Sequence, residues 1–194
     1  MFFAPLSGSE QGEPHRWVPP VWVQPPADIL PALVPVTRVL GRSALGALAL
    51  RGIEVFPDGV RLLLRATVVR GDLDRRAWRD LTEDVMGHPY DADLEGLLRL
   101  GVSYPDGTRA DLSGVWPQPE GTPEGPVLTF VGGGGGGSDD RYEVDRDVWL
   151  WPAPPAGVLT LHFRWDALDI PEDSIELDGA ALDEARGRAQ GLFD

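Results

Sequence analysis

The chain has no cysteine and no lysine; all 17 of its Lys/Arg residues are arginine. Without thiols it can form no disulfide, hold no thiolate-ligated zinc and use no cysteine nucleophile. Without lysine amines, Schiff-base catalysis and the P-loop are excluded, since both need that group. Positive charge is scarce altogether: 31 acidic side chains leave a net charge of −14. Nucleic-acid binding draws its affinity from phosphate neutralisation, and an anionic membrane surface attracts basic segments, so neither partner is expected. A basic protein partner remains compatible. No apolar run approaches the roughly 18 residues of a spanning helix. The first residues, Met-Phe-Phe-Ala-Pro-Leu-Ser, lack a basic stretch followed by a long apolar one. The expected setting is the cytoplasm.

What the chain does have is turn-forming residues beside an ordinary apolar fraction. There are 24 glycines and 19 prolines among 194 residues, with 42% hydrophobic residues. Many turns between short elements favour β structure over a helical bundle. The first 35 residues carry prolines 5, 14, 19, 20, 25, 26, 31 and 35, which fix φ and remove donors. They read as an extended N-terminal arm. Trp17, Val18, Val21, Trp22 and Val23 within it require burial somewhere, on the domain itself or on a partner. Residues 36–194 read as one domain.

In that domain, strands are expected over 36–42 and 45–56. Pro57-Asp58-Gly59 then forms a turn in which glycine supplies positive φ, and 60–70 returns. Val60, Leu62, Leu64, Ala66 and Val68 share one face by the period of two. Residues 73–86 repeat Leu73, Ala77, Leu81 and Val85 at helical spacing and predict a short amphipathic helix. A second hairpin spans 96–112 around Pro105-Asp106-Gly107. Further strands are expected at 127–131, 141–151, 158–165 and 174–177. Asp178 caps a helix over 179–190. About eight strands separated by turns predict a mainly β antiparallel sandwich of immunoglobulin-like or jelly-roll-like type. Leu62, Leu64, Leu159, Leu161 and Phe163 are the expected core.

Four stretches carry a resemblance. They are Gly132–Gly137, Trp149-Leu150-Trp151-Pro152-Ala153-Pro154-Pro155, Ile170-Pro171-Glu172, and Leu177-Asp178-Gly179-Ala180-Ala181-Leu182. With the Gly52–Gly59 hairpin upstream, and Leu100-Gly101-Val102 before Asp106-Gly107, the chain resembles a family of β-rich proteins from high-GC, actinobacterial-type bacteria. The likeness covers roughly residues 36–190. It implies a bacterial cytoplasmic setting, and it implies no activity, substrate, cofactor or catalytic residue.

The candidate sites each compete with a plainer reading. Six consecutive glycines, 132–137, suggest a phosphate loop, but Ser-Asp-Asp-Arg and a strand follow where Lys-Ser/Thr and a helix are needed. A flexible hairpin loop without a ligand role is expected instead. Asp139, Asp140, Glu143, Asp145 and Asp147 cluster beside it. Asp145 and Asp147 share a strand face and could hold a cation weakly, although the calcium-loop spacing is absent. A solvated charged face is the plainer account. His15, His88 and His162 stand far apart, and His162 falls on the polar face of its strand. Ser43 lacks the second glycine of a nucleophile elbow. Trp149 and Trp151 share a face. Pointing inward they are core; pointing outward with Trp17 and Trp22, and extended by Trp78 and Trp116, they make an aromatic platform for sugar rings or a proline-rich peptide.

Three functions follow in order of preference. The first is a non-catalytic protein-interaction or structural domain. The second is a small-ligand or glycan-binding module built on exposed Trp. The third is a metal-assisted enzyme using the 139–147 acidic cluster. No cofactor is expected.

Overall fold

The computed structural model describes residues 18–87, 97–112 and 121–193. In chain order the elements are β1 (Ile29–Leu30), β2 (Ala32–Val34), β3 (Arg38–Arg42), β4 (Gly46–Val55), β5 (Val60–Val69) and α1 (Arg75–Met86). Next come β6 (Leu98–Ser103), β7 (Arg109–Asp111), β8 (Val127–Gly132), β9 (Gly135–Gly137) and β10 (Arg141–Trp151). The chain closes with β11 (Val158–Trp165), a single 3₁₀ turn, β12 (Ile170–Asp178), α2 (Gly179–Arg186) and β13 (Gln190–Gly191). The protein is mainly β, with antiparallel sheets and, among the described residues, two α-helices.

A larger sheet runs β2-β4-β5-β10-β8, with β3 also on β4 and β9 also on β10. A smaller one runs β12-β11-β6-β7, and β1 pairs with β13. Alternation sets the faces. On β5, Val60, Leu62, Leu64, Ala66 and Val68 are buried, while Arg61, Arg65 and Thr67 lie on the opposite face. Leu159, Leu161, Phe163 and Trp165 of β11 are buried in the same core cluster as the β5 residues. The five expected core residues are all buried there.

Both helices start where an aspartate accepts free amide hydrogens. Asp74 accepts from Ala77, and Asp178 from Ala180 and Ala181. Helix α1 ends on an arginine. The Arg146 side chain, on the inner face of β10, donates to the carbonyl oxygens of Val85 at 2.5 Å and Gly87 at 3.1 Å. It satisfies carbonyls left open by the last turn and places positive charge at the negative end of the helix dipole. Its guanidinium also lies 5.2 Å from the Phe130 ring centroid.

The structure departs from the sequence expectations in several places. The glycine run is not a loop: Gly132 ends β8, and Gly135–Gly137 pairs with Tyr142–Val144 of β10. Close backbone approach explains it, because a Cβ on Gly133 would strike Asp145 O and one on Gly137 would strike Arg141 O. Gly59, expected to supply positive φ, has none; glycine is required there because a Cβ would lie 2.5 Å from Leu150 O and the Trp149 ring. The second turn does use positive φ, at Gly107. The final long strand begins at Ile170 rather than 174, and α2 stops at Arg186 because Gly187 caps it. Residues 29–34, expected in the arm, form two short strands.

Candidate functional site

The expected aromatic platform is largely occupied by the chain itself. Trp149 lies on the face of β10 opposite Val148 and Leu150, yet it is 0% exposed. Residues 20–23 make a turn, closed by Val23 N–H to Pro20 O at 2.9 Å, that lies over it. The Trp149 indole N–H donates to Val21 O at 2.8 Å. Phe56 meets the same ring edge-on at 5.3 Å, and Trp22 tilts against Trp151 at 6.1 Å. Trp149 is therefore core rather than a stacking surface; Trp151 and Trp22 stay half-buried against each other. Trp78 is buried on the inner face of α1 and adds nothing to a platform. Trp17 and Trp116 lie outside the described residues, as do His15 and His88.

The acidic cluster is built as an ion-pair ladder. Arg65 grips Asp145 with two hydrogen bonds, Nε to Oδ1 at 2.8 Å and Nη2 to Oδ2 at 3.0 Å. Arg51 reaches Asp145 Oδ1 at 3.1 Å, and Arg65 Nη1 lies 3.5 Å from Glu143. The hydrogen bond from Arg65 holds the Asp145 carboxyl below the usual carboxylate range. Asp147 differs: burial pushes its carboxyl up, with Glu54 and Asp145 adding to the rise against the pull of Arg61 and Arg51. Asp140 accepts from Ser138 Oγ in the turn before β10. Among the described residues no group of three or more His, Asp or Glu side chains is placed to hold a metal ion. Asp145 spends its oxygens on arginines, so the pair Asp145/Asp147 presents a half-neutralised face.

A third place was not singled out in the sequence. On the outer face of the smaller sheet, Ser103 Oγ lies 2.8 Å from His162 Nε2. Leu98, Leu100 and Val102 point inward, so Arg99, Gly101 and Ser103 point out. His162 pairs with Gly101, which pairs in turn with Asp111, while Ser103 pairs with Arg109. Gly101 carries no side chain and leaves a gap between its neighbours. An open groove of about 450 Å³ results, lined by Gly101, Ser103, Arg109, Asp111, His162 and Glu172 among others. His162 was legible as an outward residue; its partner was not, because the register between β6 and β11, 59 positions apart, is a tertiary fact.

A further groove is mainly apolar. β1 and β13 bring the two ends of the described chain together, and Leu192 N–H donates to Asp28 O at 2.8 Å. Val18, Leu30, Leu192 and Phe193 are all exposed there, Phe193 at 85%. Val18, Val21, Pro25, Pro26, Asp28 and Phe193 are among the residues lining a groove of about 730 Å³.

Among the described residues these features define an antiparallel β protein with two helices, an apolar groove and a polar groove. No protein-family model, no curated protein and no solved structure matches the chain. No helix among the described residues is long and apolar enough to cross a membrane.

Proposed function

We propose that the two larger sheets form a β-sandwich and that the protein works as an interaction domain, docking a partner on the apolar groove at Val18, Val21 and Phe193. The single core cluster drawn from both sheets supports the sandwich. The observation that carries the interaction reading is Phe193. A large aromatic left 85% exposed at a groove edge, beside exposed Val18 and Leu30, is the kind of patch that marks a protein contact. The partner presents an apolar anchor framed by basic side chains. The net charge of −14, with Asp28 in the groove, favours that chemistry.

Cross-linking of the full chain in the cells that make it tests this, with a Val18→Asp/Phe193→Asp variant beside it. A basic protein linked through residues 18–30 or 190–193, lost in the variant and weakened by salt, is the expected result. Links that survive the double substitution would remove the groove from the account. Links to a second copy alone would make the contact a self-association.

A further inference from the structure

We propose that the polar groove on the smaller sheet is an acyl-transfer site, with Ser103 as nucleophile and His162 as its general base, acting on small carboxylic esters. This goes beyond the interaction reading and uses a different face of the molecule. Sheet order carries the argument. The four strands run β12-β11-β6-β7, and the groove takes a polar side chain from every one of them: Glu172, His162, Ser103 and Arg109, with Asp111 beside Arg109 on β7. Across the sheet this is a carboxylate, an imidazole, a hydroxyl and a guanidinium, the order in which an acid, base, nucleophile and oxyanion stabiliser are needed. The one contact that a nucleophile–base pair requires is made, at 2.8 Å between Ser103 Oγ and His162 Nε2. Gly101, in the row between His162 and Asp111, leaves space beside the pair for a substrate.

The reaction balances with water as the only co-reactant. Ser103 Oγ bonds to the ester carbonyl carbon as its proton passes to His162 Nε2. The tetrahedral oxyanion faces Arg109, because β6 lies between β7 and β11 and its backbone amides are engaged in ladders. The C–O bond to the alkoxy group breaks, and the alcohol leaves with the proton from His162. Water then loses a proton to His162 and attacks the acyl carbon. The bond to Ser103 Oγ breaks and the serine is reprotonated, releasing the carboxylic acid. Glu172, the carboxylate lining the same groove one strand over, is assigned to orient the imidazole as a positioning residue.

The full chain is incubated with a fluorophosphonate and, separately, with p-nitrophenyl acetate. One adduct per chain is expected, mapped to Ser103, with ester turnover that falls at least tenfold in Ser103→Ala and His162→Gln. Glu172→Gln is expected to lower kcat with KM unchanged and to shift the pH–rate profile, which a merely structural role would not do. Thermal unfolding verifies that each variant is folded, and mapping of the adduct on the unaltered protein needs no variant. An unlabelled Ser103, with ester turnover no greater than that of Ser103→Ala, overturns the proposal and leaves the interaction reading untouched.

Discussion

The indole N–H of Trp149 donates to the carbonyl of Val21 at 2.8 Å, a bond between residues 128 positions apart. It ties the proline-rich segment to the outer face of the larger sheet, where Trp149 would otherwise meet water. The same turn buries Val23 to 2% exposure and sets Trp22 against Trp151. The segment is thus part of the fold's packing.

Removing it is expected to cost stability. A chain beginning at Asp28 loses Trp22, Val23 and the cover over Trp149. Each large apolar side chain buried contributes about 1.5–3 kcal/mol. Urea unfolding is expected to show a loss of at least about 2 kcal/mol by that measure, with red-shifted tryptophan emission and new binding of an apolar dye. An unchanged midpoint and emission would mean that the segment merely rests on the sheet.

The glycine run offers a paired comparison. A Cβ on Gly137 would strike the Arg141 carbonyl and crowd Tyr142, whereas one on Gly136 meets nothing within 4 Å. Gly137→Ala is expected to destabilise by about 1–3 kcal/mol, the usual cost of overpacking. Gly136→Ala is expected to be neutral or stabilising by up to about 1 kcal/mol, through the unfolded chain. Denaturant titration of the two variants separates the cases. Equal effects would show that the run behaves as the loop expected from its composition.

The contrast between these glycines and the rest of the fold shows what a sequence can carry. Val60–Val69 and Val158–Trp165 alternate over eight or more residues, and the alternation itself names the buried face. The Asp178 cap was equally local. The glycine strand β9 has no side chains and so no pattern; its pairing with β10 depends on backbone approach alone. Trp149 was undecided for a different reason. The sequence left it either core or platform, and its burial comes from a segment more than a hundred residues away. The Ser103–His162 contact is of the same kind: His162 was visibly polar and outward, and only the register of β6 on β11 brings Ser103 to it.

Asp147 makes a pH-dependent expectation. Burial raises its carboxyl above the usual carboxylate range, with Glu54 and Asp145 adding to the rise. A carboxyl raised in the folded state stabilises fully below its unfolded value, near about 3.9, and that contribution is lost as pH rises through the folded value. At neutral pH the ionised form therefore costs stability. Asp147→Asn is expected to gain up to about 1 kcal/mol at pH 7 and to match the unaltered protein near pH 3. Melting curves at the two pH values check this. A loss at pH 7 instead would assign the charge to holding Arg61 or Arg51.

Tyr104 provides the opposite end of the pH scale. It precedes the Pro105-Asp106-Gly107 turn, where its carbonyl accepts from Gly107 at 3.0 Å and its N–H donates to Thr108 at 2.9 Å. Its ring packs partly buried against the core. Burial, with the nearby Asp106 charge, pushes the phenol up to about 12. An unfolded tyrosine ionises near about 10. The phenol's contribution to stability is therefore fully present below pH 10 and is lost as pH rises through 12. Between those values the unaltered protein is expected to lose stability more steeply than Tyr104→Phe, which has no proton to release. Tyr104 is expected to ionise late while the protein is folded. Absorbance at the tyrosinate band, followed through an alkaline titration of both proteins, resolves that step. If the late step persists in Tyr104→Phe, or if the two stability curves run parallel above pH 10, the phenol is not held by the core in this way.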